Sequence, residues 1–80
     1  MASKSVSKSH EMRLSYLSTF FRILRQNEGL TQKEVSEDLD LHLNTLIRAE
    51  NSKNINLFTL FKLIDYYEID AHELFSDIIS

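Results

Sequence analysis

Apolar residues recur at spacings of three and four from Met12 to Ile79, and the chain has no proline and a single glycine. That period puts apolar side chains on one face of a helix, so the pattern predicts an all-α protein, with strand signals absent. A first helix is predicted over about Met12 to Asn27, with Leu14, Leu17, Phe21 and Leu24 as its inward stripe. Gly29 follows and supplies the left-handed backbone that commonly ends a helix. The run "TQKE" at 31–34 reads as a capping box, the Thr31 hydroxyl accepting from the Glu34 amide while Glu34 reaches back to Thr31. It opens a second helix, about Gln32 to Leu39, that buries Val35 and Leu39. A turn at Asp40 and Leu41 leads to a third, about Leu43 to Asn51, which inserts Leu46 and Ala49. After the polar loop "NSKNIN", Asn56 caps a fourth helix, about Leu57 to Tyr67, and Asp70 of "DAHE" caps a fifth, about Ala71 to Ile79. Residues 1–11, rich in Ser and Lys with almost nothing to bury, read as a flexible arm before one domain at 12–80.

Composition narrows the function. Eighty residues with 42% hydrophobic content make one small core, near the size at which cores need help from a partner or a staple. No cysteine is present, so neither disulfides nor thiolate metal sites supply that help, and a second copy of the chain is the expected source. No apolar run approaches the roughly 18 residues of a membrane span, and the polar start lacks a signal peptide's apolar middle, so a cytoplasmic protein is expected. His10, His42 and His72 are too scattered to ligate a metal; with one glycine and no nucleophile elbow, catalytic machinery is not visible and no cofactor is expected. The net charge of −3 hides a polarity: residues 1–33 carry six Lys/Arg against two acids, residues 34–80 three against ten. A basic face toward nucleic acid therefore stays open to an acidic chain.

Two short helices joined by a tight turn, with a small polar residue opening the first, form the helix-turn-helix pattern. Here the sequence resembles the lambda-repressor-like, or Xre-type, DNA-binding domains, through "LRQNEGLTQKEVSEDLDLHLNTLIRAEN" and "LFTLFKLIDYYEIDAHELF". The resemblance implies a compact five-helix fold and a dimeric transcription regulator whose third helix lies in the DNA major groove. By position it implies that Leu43, Asn44, Ile47 and Arg48 face base edges, and that Thr31, Gln32, His42, Asn51 and Lys53 meet phosphates. Residue chemistry agrees: side-chain amides and guanidinium groups make paired bonds to adenine and guanine. The resemblance further implies a structural ion pair between Arg25 and Glu50. Ser52 stands where such domains usually carry glycine, and Leu43 and Ile47 stand where many carry Arg, Ser or Gln.

Leu43 and Ile47, four residues apart, share a face, which suits contact with thymine methyl groups. The competing readings are a rotated helix that half-buries both, or a face that binds protein. Arg48 as a base reader competes with an exposed arginine paired to Asp38 or Glu50. Surplus apolar residues, Tyr16, Phe20 and Ile23 in the first helix with Phe58 and Phe61 in the fourth, mean a tighter core or a subunit interface. The interface is preferred, with Phe58, Phe61, Tyr66, Phe75, Ile78 and Ile79 as its contributors. The leading expectation is thus a homodimeric regulator on a near-palindromic operator in double-stranded DNA, with RNA polymerase a further candidate partner. A restriction-modification controller protein is the subtype named first, beside small phage or mobile-element regulators. The rival is a protein-interaction module on the same fold, an antitoxin or anti-regulator with little or no DNA reading.

Overall fold

A computed structural model describes the backbone of residues 2–51 and 55–79 and the side chains from residue 11 onward within those ranges. Among the described residues the chain forms five helices and no strand: α1 (Ala2–Asn27), α2 (Gln32–Asp38), α3 (Leu43–Asn51), α4 (Leu57–Tyr66) and α5 (Ala71–Ile79). The ends of α2 and α4 fall one residue earlier than the pattern predicts, and α3 and α5 span the expected residues. The start of α1 differs. Its helical backbone begins at Ala2, where an arm is expected from composition. No proline or glycine interrupts residues 1–28, and once the packed second half of the helix is formed, each further residue adds a hydrogen bond without a new nucleation cost. At ~1.5 Å per residue α1 is ~39 Å long, and it sets the long dimension of a molecule measuring 43 × 25 × 21 Å.

The helices close around Leu17 and Phe21 of α1, Val35 of α2, Leu46 and Ala49 of α3, Leu60, Leu63 and Ile64 of α4, and Leu74 of α5. α3 lies at the centre of this arrangement and packs against α1, α2 and α4, while α5 packs against α1. The predicted stripe of α1 points inward, Leu17 and Phe21 fully and Leu14 and Leu24 in part.

The caps follow the predicted chemistry. The Thr31 hydroxyl accepts from the Glu34 amide at 3.0 Å, and the Thr31 amide donates to the Glu34 carboxylate at 2.8 Å. Asn56 Oδ1 accepts from the Thr59 amide at 2.8 Å, and Asp70 Oδ1 accepts from the His72 and Glu73 amides. The C-terminal ends share one device. Gly29, Asp40 and Glu68 each adopt positive φ, at 70°, 55° and 52°. In all three turns the next residue, Leu30, Leu41 or Ile69, donates its amide back to the carbonyl of Arg25, Ser36 or Ile64, which is the Schellman pattern.

Candidate nucleic-acid interface

α3 is held from behind by a polar cluster that its own sequence barely advertises. The Glu50 side chain is fully buried, and both its carboxylate oxygens accept from Arg25 Nε, at 3.0 and 2.9 Å. Arg25 also donates to the Leu30 carbonyl at 2.8 Å, so one guanidinium ties α3 to α1 and to the turn before α2. Gln32 completes the cluster: its Nε2 donates to Glu50 Oε1 at 3.1 Å, linking the first turn of α2 to the same carboxylate. The expected ion pair is therefore in place. The Gln32 amide, which the resemblance directs to a phosphate, is half-buried and turned to Glu50 instead. The Tyr67 hydroxyl is also buried, has no hydrogen-bond partner, and is pushed up to about 12 by burial and the Glu50 charge.

With Leu46, Ala49 and Glu50 turned inward, α3 presents Leu43, Asn44, Arg48 and Asn51 to solvent as one contiguous face, with His42 exposed just before it. Leu43 is 41% exposed, and Ile47 beside it is half-buried. The apolar pair thus lies on the outward face rather than in the core. Glu50 is the one acid in α3; because it is buried against Arg25, the outer face of the helix carries no carboxylate. Asp38 accepts from the Tyr66 hydroxyl at 2.7 Å, and Glu50 accepts from Arg25 and Gln32 on the inner side of the helix. That contact with Asp38, with burial second, raises Tyr66 to about 12.

The expected phosphate-facing residues divide. Thr31 and His42 are exposed, the Thr31 oxygen serving the helix cap. Asn51 is exposed, and its Oδ1 accepts from Arg22 Nη1 at 3.4 Å. Arg22 is the cation that the sequence reading missed; it lies 29 positions from its partner, and only the packing of α1 on α3 brings it to this end of the face. Lys53 and Ser52 lie outside the described residues.

Of the residues expected at a subunit interface, Phe58, Phe61, Phe75 and Ile79 are exposed, at 64%, 56%, 38% and 65%. Tyr66 and Ile78 are half-buried against the core, and Tyr66 is further committed to Asp38. Lys62 lies between these groups, with Nζ 4.7 Å above the Phe58 ring and donating to the Leu39 carbonyl.

A family profile described as helix-turn-helix matches residues 21–74, more than half of the chain and the whole of α2 to α4. Comparison with curated proteins and with solved structures finds no significant match.

Proposed function

Since the chain belongs to the helix-turn-helix family of lambda-repressor-like, or Xre, type, we propose that it is a sequence-specific DNA-binding transcriptional regulator acting as a homodimer. The observation that carries this reading is the outer face of α3: Leu43, Asn44 and Arg48 point to solvent with Ile47 beside them, on a helix braced from behind by the Arg25–Glu50–Gln32 cluster. Such a helix enters the major groove as a rigid body, because the cluster removes the freedom to roll about its axis. Asn44 and Arg48 offer paired hydrogen bonds to adenine and guanine, and Leu43 with Ile47 suits the methyl groups of thymine.

Affinity in this reading comes from phosphate contacts through Thr31, His42, Asn51 and Lys53, with Arg22, which meets Asn51, added to the set. Gln32 acts by fixing α3. A twofold dimer through the exposed rings of α4 and α5 sets two copies of α3 about one DNA turn apart, ~34 Å, and gives a near-palindromic operator.

The test is selection of bound genomic fragments by the purified protein at physiological salt, with the Asn44→Ala/Arg48→Ala double variant as control. Enrichment of a near-palindrome that the double variant loses is expected. Arg48→Ala alone is expected to cost about 1–3 kcal/mol on the selected operator. A small loss of equal size on every sequence rejects Arg48 as a base reader, and no enrichment from folded protein transfers the face to a protein partner.

A further inference from the structure

The outward face of α1 takes no part in the reading above. Six side chains, Met12, Ser15, Tyr16, Thr19, Phe20 and Ile23, line an open and mostly apolar groove along it. Met12 is 73% exposed, Tyr16 45% and Ile23 47%. A helix already packed on its core through Leu17 and Phe21 gains nothing for its own fold from a second apolar stripe, and such a patch marks a contact with another molecule. We propose that the groove is filled by α1 of a second copy of this chain, packed antiparallel, in a contact separate from the α4–α5 face.

The arrangement of this face suits a reversed second copy. All six are symmetric about the point between Leu17 and Ser18. Reversing the helix lays the exposed seam on itself: Met12 meets the partner's Ile23 and Tyr16 meets the partner's Thr19, while Phe20 lies on the same flank as the partner's Phe20 and the partner's Arg13. Along the seam the Tyr16 ring faces a small hydroxyl residue, so bulk enters space. A parallel pair would set Tyr16 against its own copy. The rings of Tyr16 and Phe20 are stacked, 6.2 Å apart and 7° from parallel, which fixes one against the other. A patch complementary to itself is what a twofold interface requires.

Charge agrees with the reversed direction. At Phe20 the groove adjoins a pocket edged by Asp70, Glu73 and Asp77 of the α5 region. Arg13 precedes Phe20 by seven residues and so shares its side of α1. Antiparallel pairing carries the partner's Arg13 toward this acidic edge. A parallel pair would leave it two turns away.

The chain has no cysteine, which makes site-directed cross-linking clean. Met12→Cys protein and Ile23→Cys protein, one of them enlarged by a tag, are mixed and oxidised mildly. The mixed disulfide is expected to dominate, because like residues sit ~16 Å apart along the antiparallel axis at ~1.5 Å per residue, beyond the ~7 Å that a disulfide spans. Like-with-like products as abundant as the mixed one, or no cross-link, overturn the proposal. Sedimentation supplies the second arm, with Thr19→Arg on this face and Phe61→Ser on the other. Thr19 is exposed, so the variant should keep its helicity by circular dichroism while its association through α1 weakens about tenfold or more, since the new charge would be buried. Wild-type protein that stays monomeric at concentrations on the order of 100 μM, or association that Thr19→Arg leaves unchanged, refutes the contact.

Discussion

Glu50 shows how one carboxylate can decide the posture of a helix. It is fully buried, and its charge is acceptable only because Arg25 and Gln32 supply three hydrogen bonds. Glu50→Ala is expected to cost about 3–5 kcal/mol, read as a lower urea midpoint, because it strands the Arg25 guanidinium. Gln32→Ala should cost about 1 kcal/mol, more than a solvated first-turn residue would. Tyr67 behaves in the opposite sense, since its buried hydroxyl has no partner. Tyr67→Phe is expected to leave stability at neutral pH unchanged or raise it by about 1 kcal/mol. The folded pKa of Tyr67, like that of Tyr66, is raised from 10.0 to about 12. Whatever stability these neutral hydroxyls contribute is therefore intact below pH 10 and is lost as the pH climbs toward 12. Unfolding of Tyr67→Phe measured across pH 9–12 should show a shallower loss than the wild type; an equal slope would remove Tyr67 from the effect.

The helices end by a shared device that the three sites are unequally suited to perform. Gly29 has no Cβ and takes positive φ freely, Asp40 tolerates it better than most side chains, and Glu68 takes it against its own preference. Glu68→Gly is expected to stabilise the protein by about 1 kcal/mol, measured as an increased melting temperature. Gly29→Ala should cost about 1–2 kcal/mol. A Cβ there meets nothing within 4 Å, so the cost would be conformational strain and not a clash. At the opening of α2, Thr31→Ala should lose about 1 kcal/mol with the capping box. Equal melting temperatures for Gly29→Ala and the wild type would mean that the turn can rearrange.

Across the molecule, the fold separates charges that the net value of −3 merges. Asp65, Glu68, Asp70, Glu73 and Asp77 belong to α4, α5 and their connection, and Glu34, Glu37, Asp38 and Asp40 to α2 and the turn after it, while the acid of α3 is sealed against Arg25. An acidic protein therefore keeps one helix face without carboxylates. The exposed rings belong to α1, as Tyr16, and to α4 and α5, as Phe58, Phe61 and Phe75, and the proposed operator dimer depends on the second group. Phe61→Ser is expected to keep the circular dichroism of the wild type, since the ring is 56% exposed. It should lower the sedimenting mass and weaken operator binding. Unchanged mass and unchanged binding together would place the operator dimer elsewhere. Binding of wild type should weaken steeply as salt rises, each phosphate contact contributing about 0.9 to the slope of log affinity against log salt.

What could be read along the chain was whatever depends on near neighbours. Helix spans, the Thr31, Asn56 and Asp70 caps and the turn at Gly29 rest on residues within about four positions of one another, the range over which helix periodicity and backbone capping act. The outward set on α3 was legible for the same reason, given the family pattern. Glu68 in a left-handed turn was not, because that residue type does not announce the conformation. Nor was the helical backbone from Ala2, which composition disfavours and continuity with the packed half of α1 allows. Packing alone joined Gln32 to Glu50 across 18 positions, Arg22 to Asn51 across 29 and Asp38 to Tyr66 across 28. It also divided the surplus aromatics, drawing Tyr66 half into the core and leaving Tyr16, Phe58 and Phe61 at the surface. Periodicity tells which side of its own helix a residue occupies. Whether that side meets another helix or water depends on how the helices pack.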